Sequence, residues 1–315
     1  MISQKNSISK LPISALTLGT WVFGGDSWSG SNRENNLNAV HAALDHGINI
    51  IDTAPIYSNG LSEEIVGQAM RGKRDQVIIA TKCGLRAQGK KITIDLSKKS
   101  IFNELHASLK RMNIDCIDLY QCHWPDPNTP IEETIDALNQ LKNQGKIRHV
   151  GLSNFKPEQI KEALPYTQIT SIQDQYSLLT RNVEEAILPL CRNENINFLA
   201  YGPLAGGILT GKYSQAHSFV KNDARSFFYK FYKGDAYEKV STLLSQLQKF
   251  NRPLNQLCLN WIRQQNGVTS VIVGCRNVDQ VIKNTEALSW DLTQDELSQI
   301  NDIIKGFRLN DGATA

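Results

Sequence analysis

The alternation of two kinds of segment along the chain is the feature that most restricts its fold. Eight short apolar runs with a strand-like composition are each separated by longer amphipathic runs. Because strands joined through helices pair in parallel by right-handed crossovers, this order predicts an α/β protein. The predicted strands are Leu16–Thr20, Ile48–Asp52, Val77–Lys82, Ile117–His123, Ile147–Leu152, Thr170–Asp174, Asn197–Tyr201 and Ser270–Val273.

The amphipathic runs predict the helices that connect these strands. Eight strands in this rhythm fit a closed (β/α)₈ barrel, or TIM barrel, that occupies residues 1–315 as a single domain. An open, doubly wound sheet is the alternative, because periodicity does not show closure. We also expect extra helices and a short hairpin over Ile8–Ala15. The predicted helices are Arg33–His46, Ser62–Arg71, Lys98–Met112, Ile131–Gln144, Pro157–Leu164, Val183–Glu194, Ala236–Phe250 and Pro253–Gln265.

Composition excludes several classes of partner. Lys and Arg number 34 against 31 Asp and Glu, so that no basic surface for nucleic acid is expected. The N-terminus lacks the apolar stretch of a signal peptide, and no run is apolar enough to cross a membrane. The six cysteines contain no C-x-x-C pair, which favours reduced thiols over a disulfide framework or a zinc site. We therefore expect a cytoplasmic protein without a metal, either a monomer or a weak homo-oligomer.

Four residues that can carry proton chemistry fall at one predicted rim of the barrel. Asp52, Lys82 and His123 end three successive predicted strands, and Tyr57 lies in the loop after Asp52. The carboxyl ends of barrel strands meet at one face, where functional side chains gather. Each residue alone has an ordinary structural explanation, such as a helix cap, a solvated amine or packing. Their coincidence at equivalent positions predicts a catalytic group.

The chemistry of these four side chains suits proton donation to a carbonyl oxygen. A phenol with a pKa of about 10 is a weak acid, and we expect the Lys82 ammonium to lower the pKa of Tyr57. Asp52 would hold Lys82, and His123 would bind the substrate oxygen. None of them can supply a hydride, so an organic cofactor is implied. A Schiff-base aldolase using Lys82 is an alternative, but it leaves Tyr57 and His123 without roles.

Other strand ends offer groups that suit a nucleotide. Ser153, Asn154 and Gln173 present hydroxyl and amide groups fit for a carboxamide, and the ring of Tyr201 could stack on a flat heterocycle. A helix N-cap explains Ser153 and Asn154 equally well, and a turn explains Gln173.

The segment after Tyr201 approaches a phosphate-binding pattern without matching it. Gly206 to Lys212 fits G-x-x-x-x-G-K, but Tyr213 replaces the hydroxyl that holds magnesium, so an NTPase is excluded. No G-x-G-x-x-G opens a helix, which argues against a Rossmann site. The glycines would still let backbone approach a pyrophosphate. Arg276 lies between the last strand and a helix, and an arginine beside a helix N-terminus is suited to bind a phosphate. The alternative is that Arg276 is an ordinary surface arginine.

The stretch from Lys212 to Asp235 is the least regular part of the chain and is rich in aromatic residues. It predicts either a lid or pocket wall, or a loop packed flat on the barrel.

Taken together, the motifs resemble the aldo-keto reductase family over nearly the whole chain. They are most similar to bacterial reductases of the general-stress and sugar-utilisation type. The matching stretches are L-G-T-W, G-I-N-I-I-D-T-A-P-I-Y, A-T-K-C-G, I-D-L-Y-Q-C-H-W-P-D-P, G-K-I-R-H-V-G-L-S-N-F, Q-D-Q-Y-S, A-Y-G-P-L-A-G-G-I-L-T-G-K-Y and V-G-C-R-N-V-D-Q-V-I-K-N.

The resemblance implies NADPH-dependent reduction of an aldehyde or ketone on a small molecule, with the hydride from nicotinamide and the proton from Tyr57. An NADPH-binding redox-sensing or regulatory subunit with little turnover is the alternative. Gly274 stands where the animal branch has a lysine, which leaves Arg276 as the main support for a 2′-phosphate. The implied catalytic tetrad is Asp52, Tyr57, Lys82 and His123.

The resemblance also assigns the two ends of the site. Trp21 and Trp124 would line the substrate pocket. The implied contacts to NADPH or NADP+ are Thr20, Trp21, Ser153, Asn154, Gln173, Tyr201, Gly202, Pro203, Leu204, Gly206, Lys212, Gly274, Arg276, Gln280 and Asn284.

Overall fold

The strands of the described residues form one closed barrel and two small hairpins. The computed structural model describes residues 7–8, 11–24, 28, 31–88, 91–220, 223–226 and 228–307. Within them the strands are β1 (Ser7–Ile8), β2 (Leu11–Pro12), β3 (Leu16–Gly19), β4 (Ile50–Asp52), β5 (Ile78–Cys83), β6 (Leu85–Gln88), β7 (Lys91–Ile94), β8 (Ile117–Cys122), β9 (Ile147–Ser153), β10 (Ile169–Gln175), β11 (Asn197–Tyr201) and β12 (Val268–Gly274).

Closure of the barrel depends on the pairing of its last strand with its first. The parallel strands follow the order β3-β4-β5-β8-β9-β10-β11-β12 around the barrel. The last strand, β12, pairs with β3, so that Val271 lies opposite Leu16 and Gly274 opposite Gly19. The predicted closed barrel is confirmed, and the open sheet is wrong.

The helices surround the barrel and bury their apolar faces against it. The first eight correspond to the eight predicted helices, α9 is the helix expected after Arg276, and α10 is additional. In the described residues they are α1 (Arg33–Asp45), α2 (Leu61–Ala69), α3 (Lys98–Met112), α4 (Ile131–Asn143), α5 (Pro157–Ala163), α6 (Ile187–Asn193), α7 (Gly234–Leu247), α8 (Leu254–Arg263), α9 (Val278–Thr285) and α10 (Gln294–Lys305). None of them is long and apolar enough to cross a membrane.

Two hairpins lie outside the barrel sheet. β1 and β2 pair antiparallel, which confirms the predicted N-terminal hairpin, although residues 9 and 10 of its turn lie outside the described residues. Ile8 of this hairpin is fully buried in the same apolar cluster as Ile50 and Leu119 of the barrel strands. The second hairpin, β6–β7, follows the strand that carries Lys82 and was not predicted.

A buried carboxylate stabilises the strands around Asp118 in β8. Asp118 is 1% exposed and accepts hydrogen bonds from the backbone N–H of Ile79 at 2.9 Å and from Arg148 at 2.6 Å. Arg74 completes the cluster at 2.7 Å from Oδ2, the oxygen that also accepts from Ile79. Because the carboxylate is removed from water, these donors compensate for its burial.

Asp118→Ala should lower the free energy of unfolding by about 2–3 kcal/mol, because the buried N–H of Ile79 and the two guanidinium groups lose their acceptor. Denaturation by urea measures the loss. Asp279→Ala is the matched control, since its ion pair with Lys283 is exposed, and its effect should be near zero. Equal losses in the two variants would contradict the account.

Candidate active site

The ends of three neighbouring strands bring the predicted proton-chemistry residues to one rim. Asp52 is the last residue of β4, Lys82 lies one residue before the end of β5, and His123 directly follows β8. Tyr57 lies in the turn after β4. The structure therefore brings together the four side chains that the sequence placed at one face.

Lys82 is at the centre of this group. Its side chain is 0% exposed, and its ammonium donates to Asp52 Oδ2 at 2.6 Å, to the carbonyl oxygen of Thr53 at 3.0 Å and to Tyr57 Oη at 3.1 Å. An ammonium has three donors, and all three are used. The position of the phenol oxygen is thus tied to a buried charge.

Asp52 is held from its other side by amides. Its Oδ1 accepts from Gln173 Nε2 at 2.8 Å and from Gln121 Nε2 at 3.4 Å. Gln121 was not singled out in the sequence, although it lies in β8, two residues before His123. Gln173 lies within β10, so the interpretation of this residue as part of a turn is wrong.

The pKa of Lys82 is raised in this environment. Burial by itself lowers the pKa of the ammonium, but the negative charge of Asp52 2.6 Å away, together with the interactions of Tyr57 and the hydrogen bonds to both side chains, outweighs burial. Lys82 therefore remains charged at neutral pH despite its complete burial.

The pKa of Tyr57 is also raised above its ordinary value of 10.0. Burial raises it, the charge of Lys82 lowers it, and that of Asp52 raises it again. Lys82 acts in the expected direction, but the expectation that the phenol's pKa falls is wrong, because desolvation outweighs the ammonium. The phenol consequently keeps its proton at neutral pH, as a proton donor must.

His123 is held in its neutral form. Its side chain is 9% exposed. Burial, as the larger cause, and the charge of Lys82, as the smaller one, hold the pKa of its imidazole well below 6.5. The ring packs edge-on against Tyr57, with 5.9 Å between the ring centroids. A neutral imidazole beside the phenol can donate a hydrogen bond but carries no charge to the site.

A cleft of about 660 Å³ opens above this group and extends toward α9. Nearly all predicted cofactor and substrate residues line it. Thr20 does not: it is fully buried, and its hydroxyl donates to the backbone oxygen of Asp52 at 2.9 Å. The contact of Thr20 with the cofactor stays a prediction. The predicted residues that line the cleft are Trp21, Asp52, Tyr57, His123, Trp124, Ser153, Asn154, Gln173, Tyr201, Gly202, Pro203, Leu204, Gly206, Lys212, Gly274, Arg276, Gln280 and Asn284.

Asn154 connects the polar wall of the cleft to the catalytic rim. Its Oδ1 accepts from Tyr201 Oη at 2.8 Å, and its Nδ2 donates to the backbone oxygen of His123 at 2.9 Å. The N-cap of α5 is Lys156, so the interpretation of Ser153 and Asn154 as that helix's cap is wrong.

The far end of the cleft is basic. Arg276 precedes Asn277, the N-cap of α9, and is half-buried. Burial lowers the pKa of Arg276, and so does a second arginine, Arg225, which also lines the cleft. Arg225 was missed because it lies in the irregular aromatic stretch, where no periodic pattern marks which residues face inward.

The aromatic stretch between Lys212 and Asp235 forms a wall of the cleft rather than packing flat elsewhere. Phe228 and Tyr229 line the cleft, whereas Phe227 lies outside the described residues. Gly206 has a φ of 71°, and a Cβ there would lie 2.6 Å from Tyr229 Cδ2, so the tyrosine ring rests directly on the glycine. The prediction of a pocket wall is confirmed for these residues.

Aromatic and aliphatic groups surround the end of the cleft near Tyr57. Trp21 stacks on Tyr57 with 6.3 Å between the centroids and 28° between the ring planes, and it meets Trp28 and Phe228 edge-on. Leu85 and Ile92 of the β6–β7 hairpin complete this side. This part of the cleft was only partly predicted, because short hairpin strands carry little periodicity.

Comparisons with known proteins agree with this geometry. The model of the aldo/keto reductase family matches residues 15–305. Aldo-keto reductase YhdN of Bacillus subtilis is 39% identical over 298 residues, covering 93% of this chain and 90% of that protein. An NADH-specific methylglyoxal reductase of Escherichia coli is 37% identical over 303 residues, covering 90% and 92%. The chain belongs to the aldo/keto reductase family.

Solved structures show the same architecture. The structure of a glycerol dehydrogenase from Gluconobacter oxydans superposes with a TM-score of 0.87 at 35% identity, over 99% of this chain and 100% of that one. An aldo-keto reductase from Klebsiella pneumoniae in complex with NADPH has a TM-score of 0.74 at 27% identity, over 97% and 95%. The protein is therefore an oxidoreductase of a family that acts on carbonyl groups.

Lys82→Met should reduce carbonyl-reducing activity by about 10²–10⁴-fold, because Tyr57 Oη loses the donor that stabilises its deprotonated form. The folded state should also lose about 3–5 kcal/mol, since Asp52 keeps a buried charge without its cation. Steady-state kinetics and urea denaturation measure the two effects.

Asp52→Asn/Lys82→Met separates these effects, because it removes both charges. This double variant should recover most of the stability and none of the activity. Recovery of activity together with stability would show that Lys82 serves only the fold.

Proposed function

We propose that this protein catalyses the NADPH-dependent reduction of an aldehyde or ketone on a small molecule to the alcohol. The observation that carries the proposal is the chain of contacts Asp52–Lys82–Tyr57, at 2.6 and 3.1 Å, at the floor of a cleft large enough for a dinucleotide. The phenol keeps its proton and lies beside a neutral imidazole, which is the arrangement that protonation of a carbonyl oxygen requires.

The residues along the cleft fit a nicotinamide nucleotide. The amides of Asn154 and Gln173 lie near the catalytic rim, where they suit a carboxamide, and Tyr201 offers a ring for stacking. The absence of a side chain at Gly206 lets backbone approach a pyrophosphate, and Arg276 lies at the end that suits a phosphate. When bound, the nucleotide supplies the hydride, which no side chain here can provide.

The proton step follows from the contacts of the phenol. Tyr57 donates its proton to the carbonyl oxygen, and the Lys82 ammonium 3.1 Å away stabilises the phenolate that results. His123, neutral at physiological pH, orients the substrate oxygen by a hydrogen bond. Because Lys82 is already in place before the reaction, little reorganisation is needed as charge develops.

The walls of the cleft indicate the kind of substrate. Trp21, Trp124 and Phe228 line the cleft beside Tyr57 and suit a substrate with an apolar body next to its carbonyl.

All six cysteines are free thiols, which supports a reducing compartment, and we propose the cytoplasm.

Tyr57→Phe should lower kcat for aldehyde reduction by about 10²–10⁴-fold, because the general acid is lost while the ring still packs against Trp21. NADPH should bind with unchanged affinity, measured by fluorescence titration. A variant that keeps most of its activity would overturn the assignment. A wild-type protein that binds NADPH but turns over no aldehyde would favour a sensing or regulatory subunit instead.

Arg276→Ala should weaken NADPH binding by about tenfold to a hundredfold and leave NADH almost unchanged. The 2′-phosphate distinguishes the two cofactors, and one charge-assisted contact from a guanidinium contributes about 1.5–3 kcal/mol. Titration of both cofactors into both proteins measures the difference. Added salt should reduce the wild-type preference, since Arg276 is only half-buried.

Lys283→Ala is the matched control for Arg276→Ala. Lys283 lines the same end of the cleft, but its ammonium pairs with Asp279 on an exposed helix face. Its loss should change the affinity for either cofactor little. Equal losses for NADPH and NADH in Arg276→Ala would make Arg276 structural, and a wild-type preference for NADH would overturn the choice of cofactor.

A further inference from the structure

The turn that follows Tyr57 has an unfavourable backbone conformation. Ser58 (φ 48°, ψ 43°) and Asn59 (φ 52°, ψ 41°) both lie in the left-handed region, and Gly60 follows with a φ of 92°. Left-handed conformations are costly for residues with a side chain and persist only where the surroundings enforce them. This turn connects Tyr57 to the start of α2, so its conformation sets where the phenol points.

Two contacts hold the turn. Ser58 Oγ donates to the backbone oxygen of Phe23 at 2.7 Å. The side chain of Arg111, from α3, covers Gly60, since a Cβ on Gly60 would lie 2.6 Å from Arg111 Cδ. The arginine therefore packs directly against the backbone of the turn.

Arg111 is itself fixed by a fully buried carboxylate. Glu63, in the first turn of α2, is 0% exposed and accepts from Arg111 Nε at 2.6 Å. Its second oxygen accepts from Thr81 Oγ1, also at 2.6 Å. Thr81 immediately precedes Lys82 in β5, so one carboxylate ties the helix that follows Tyr57 to the strand that carries its ammonium partner.

A buried ion pair adds little to the free energy of unfolding, because the cost of removing both charges from water offsets much of their attraction. Neither Glu63 nor Arg111 lines the main cleft in which we place substrate and cofactor. What the pair does provide is a fixed distance between two elements whose ends carry Tyr57 and Lys82.

We propose that Glu63 and Arg111 are positioning residues, which clamp the left-handed turn and thereby hold the Tyr57 hydroxyl on Lys82. The proposal rests on the proposed role of Tyr57 as the proton donor. A displacement of a reacting group by about 1 Å costs on the order of 10²-fold in rate, so the clamp acts on kcat.

The first test uses Glu63→Gln/Arg111→Met, which removes both charges and leaves no unpaired buried ion. We expect kcat for benzaldehyde reduction to fall by about 10- to 100-fold, while the Kd of NADPH stays within about twofold. Arg111→Lys, which keeps a cation beside Glu63, should retain more activity, and it serves as the test variant if the double variant does not fold. Asp118→Ala is the matched control: it breaks a buried ion cluster that does not contact the turn, and it should leave the kcat of folded protein unchanged.

The second test needs no turnover and therefore separates this proposal from the proposed function. In protein labelled with tyrosine at ¹³Cζ, the signal of Tyr57, assigned by its absence in Tyr57→Phe, reports the contact with Lys82. This signal should shift in the clamp variants and stay in place in Asp118→Ala. If the wild type reduces no aldehyde, the proposed function fails and this measurement alone decides on the clamp.

Two results would overturn the clamp. One is a folded double variant with a wild-type kcat and an unmoved Tyr57 signal. The other is an equal loss of kcat in Asp118→Ala, which would make the effect one of general stability.

Discussion

The ion pair between Lys82 and Asp52 is the interaction on which the rest of the site depends. Both side chains lie almost completely out of water, so each charge needs compensation within the barrel. The carboxylate receives it from the ammonium and from Gln173, and the ammonium from the carboxylate, a backbone carbonyl and Tyr57. Because these partners come from β4, β5, β10 and the turn after β4, only a closed barrel brings them together.

One buried ammonium also divides the roles of its two titratable neighbours. Its charge opposes the effect of burial on Tyr57, whose pKa nevertheless stays above 10.0, so that the phenol is protonated and ready to donate. The same charge adds to the effect of burial on His123, whose imidazole is kept neutral. The phenol is thus the acid and the imidazole a neutral hydrogen-bonding group, as a consequence of where a single charge lies.

The parts of this account that follow a periodic pattern could be predicted from the sequence. Asp52, Lys82 and His123 were found because each stands at or beside the end of an apolar run, and parallel strands end at one rim. Side-chain burial is not visible in such a pattern, and Thr20, which was named only through the family resemblance, is fully buried. The direction of the pKa shift of Tyr57 was wrong for the same reason, since desolvation depends on packing in three dimensions.

The residues that were missed have no local signal. Arg225 belongs to an irregular loop, whose inward-facing side chains only the folded chain reveals. Glu63 and Arg111 lie on separate amphipathic helices, where a charged residue is ordinarily solvated, and their pairing joins positions 48 residues apart.

The pH dependence of kcat for aldehyde reduction, measured from about pH 6 to about pH 10, tests the central claim most directly. A proton donor with a raised pKa keeps its proton throughout this range, so activity should stay level. It should decline only when the pH exceeds the pKa of the buried phenol, which lies above 10.0. His123, with a lowered pKa, is already neutral at the start of the range. A decline centred near or below neutral pH would identify another group as the acid and contradict the role of Tyr57.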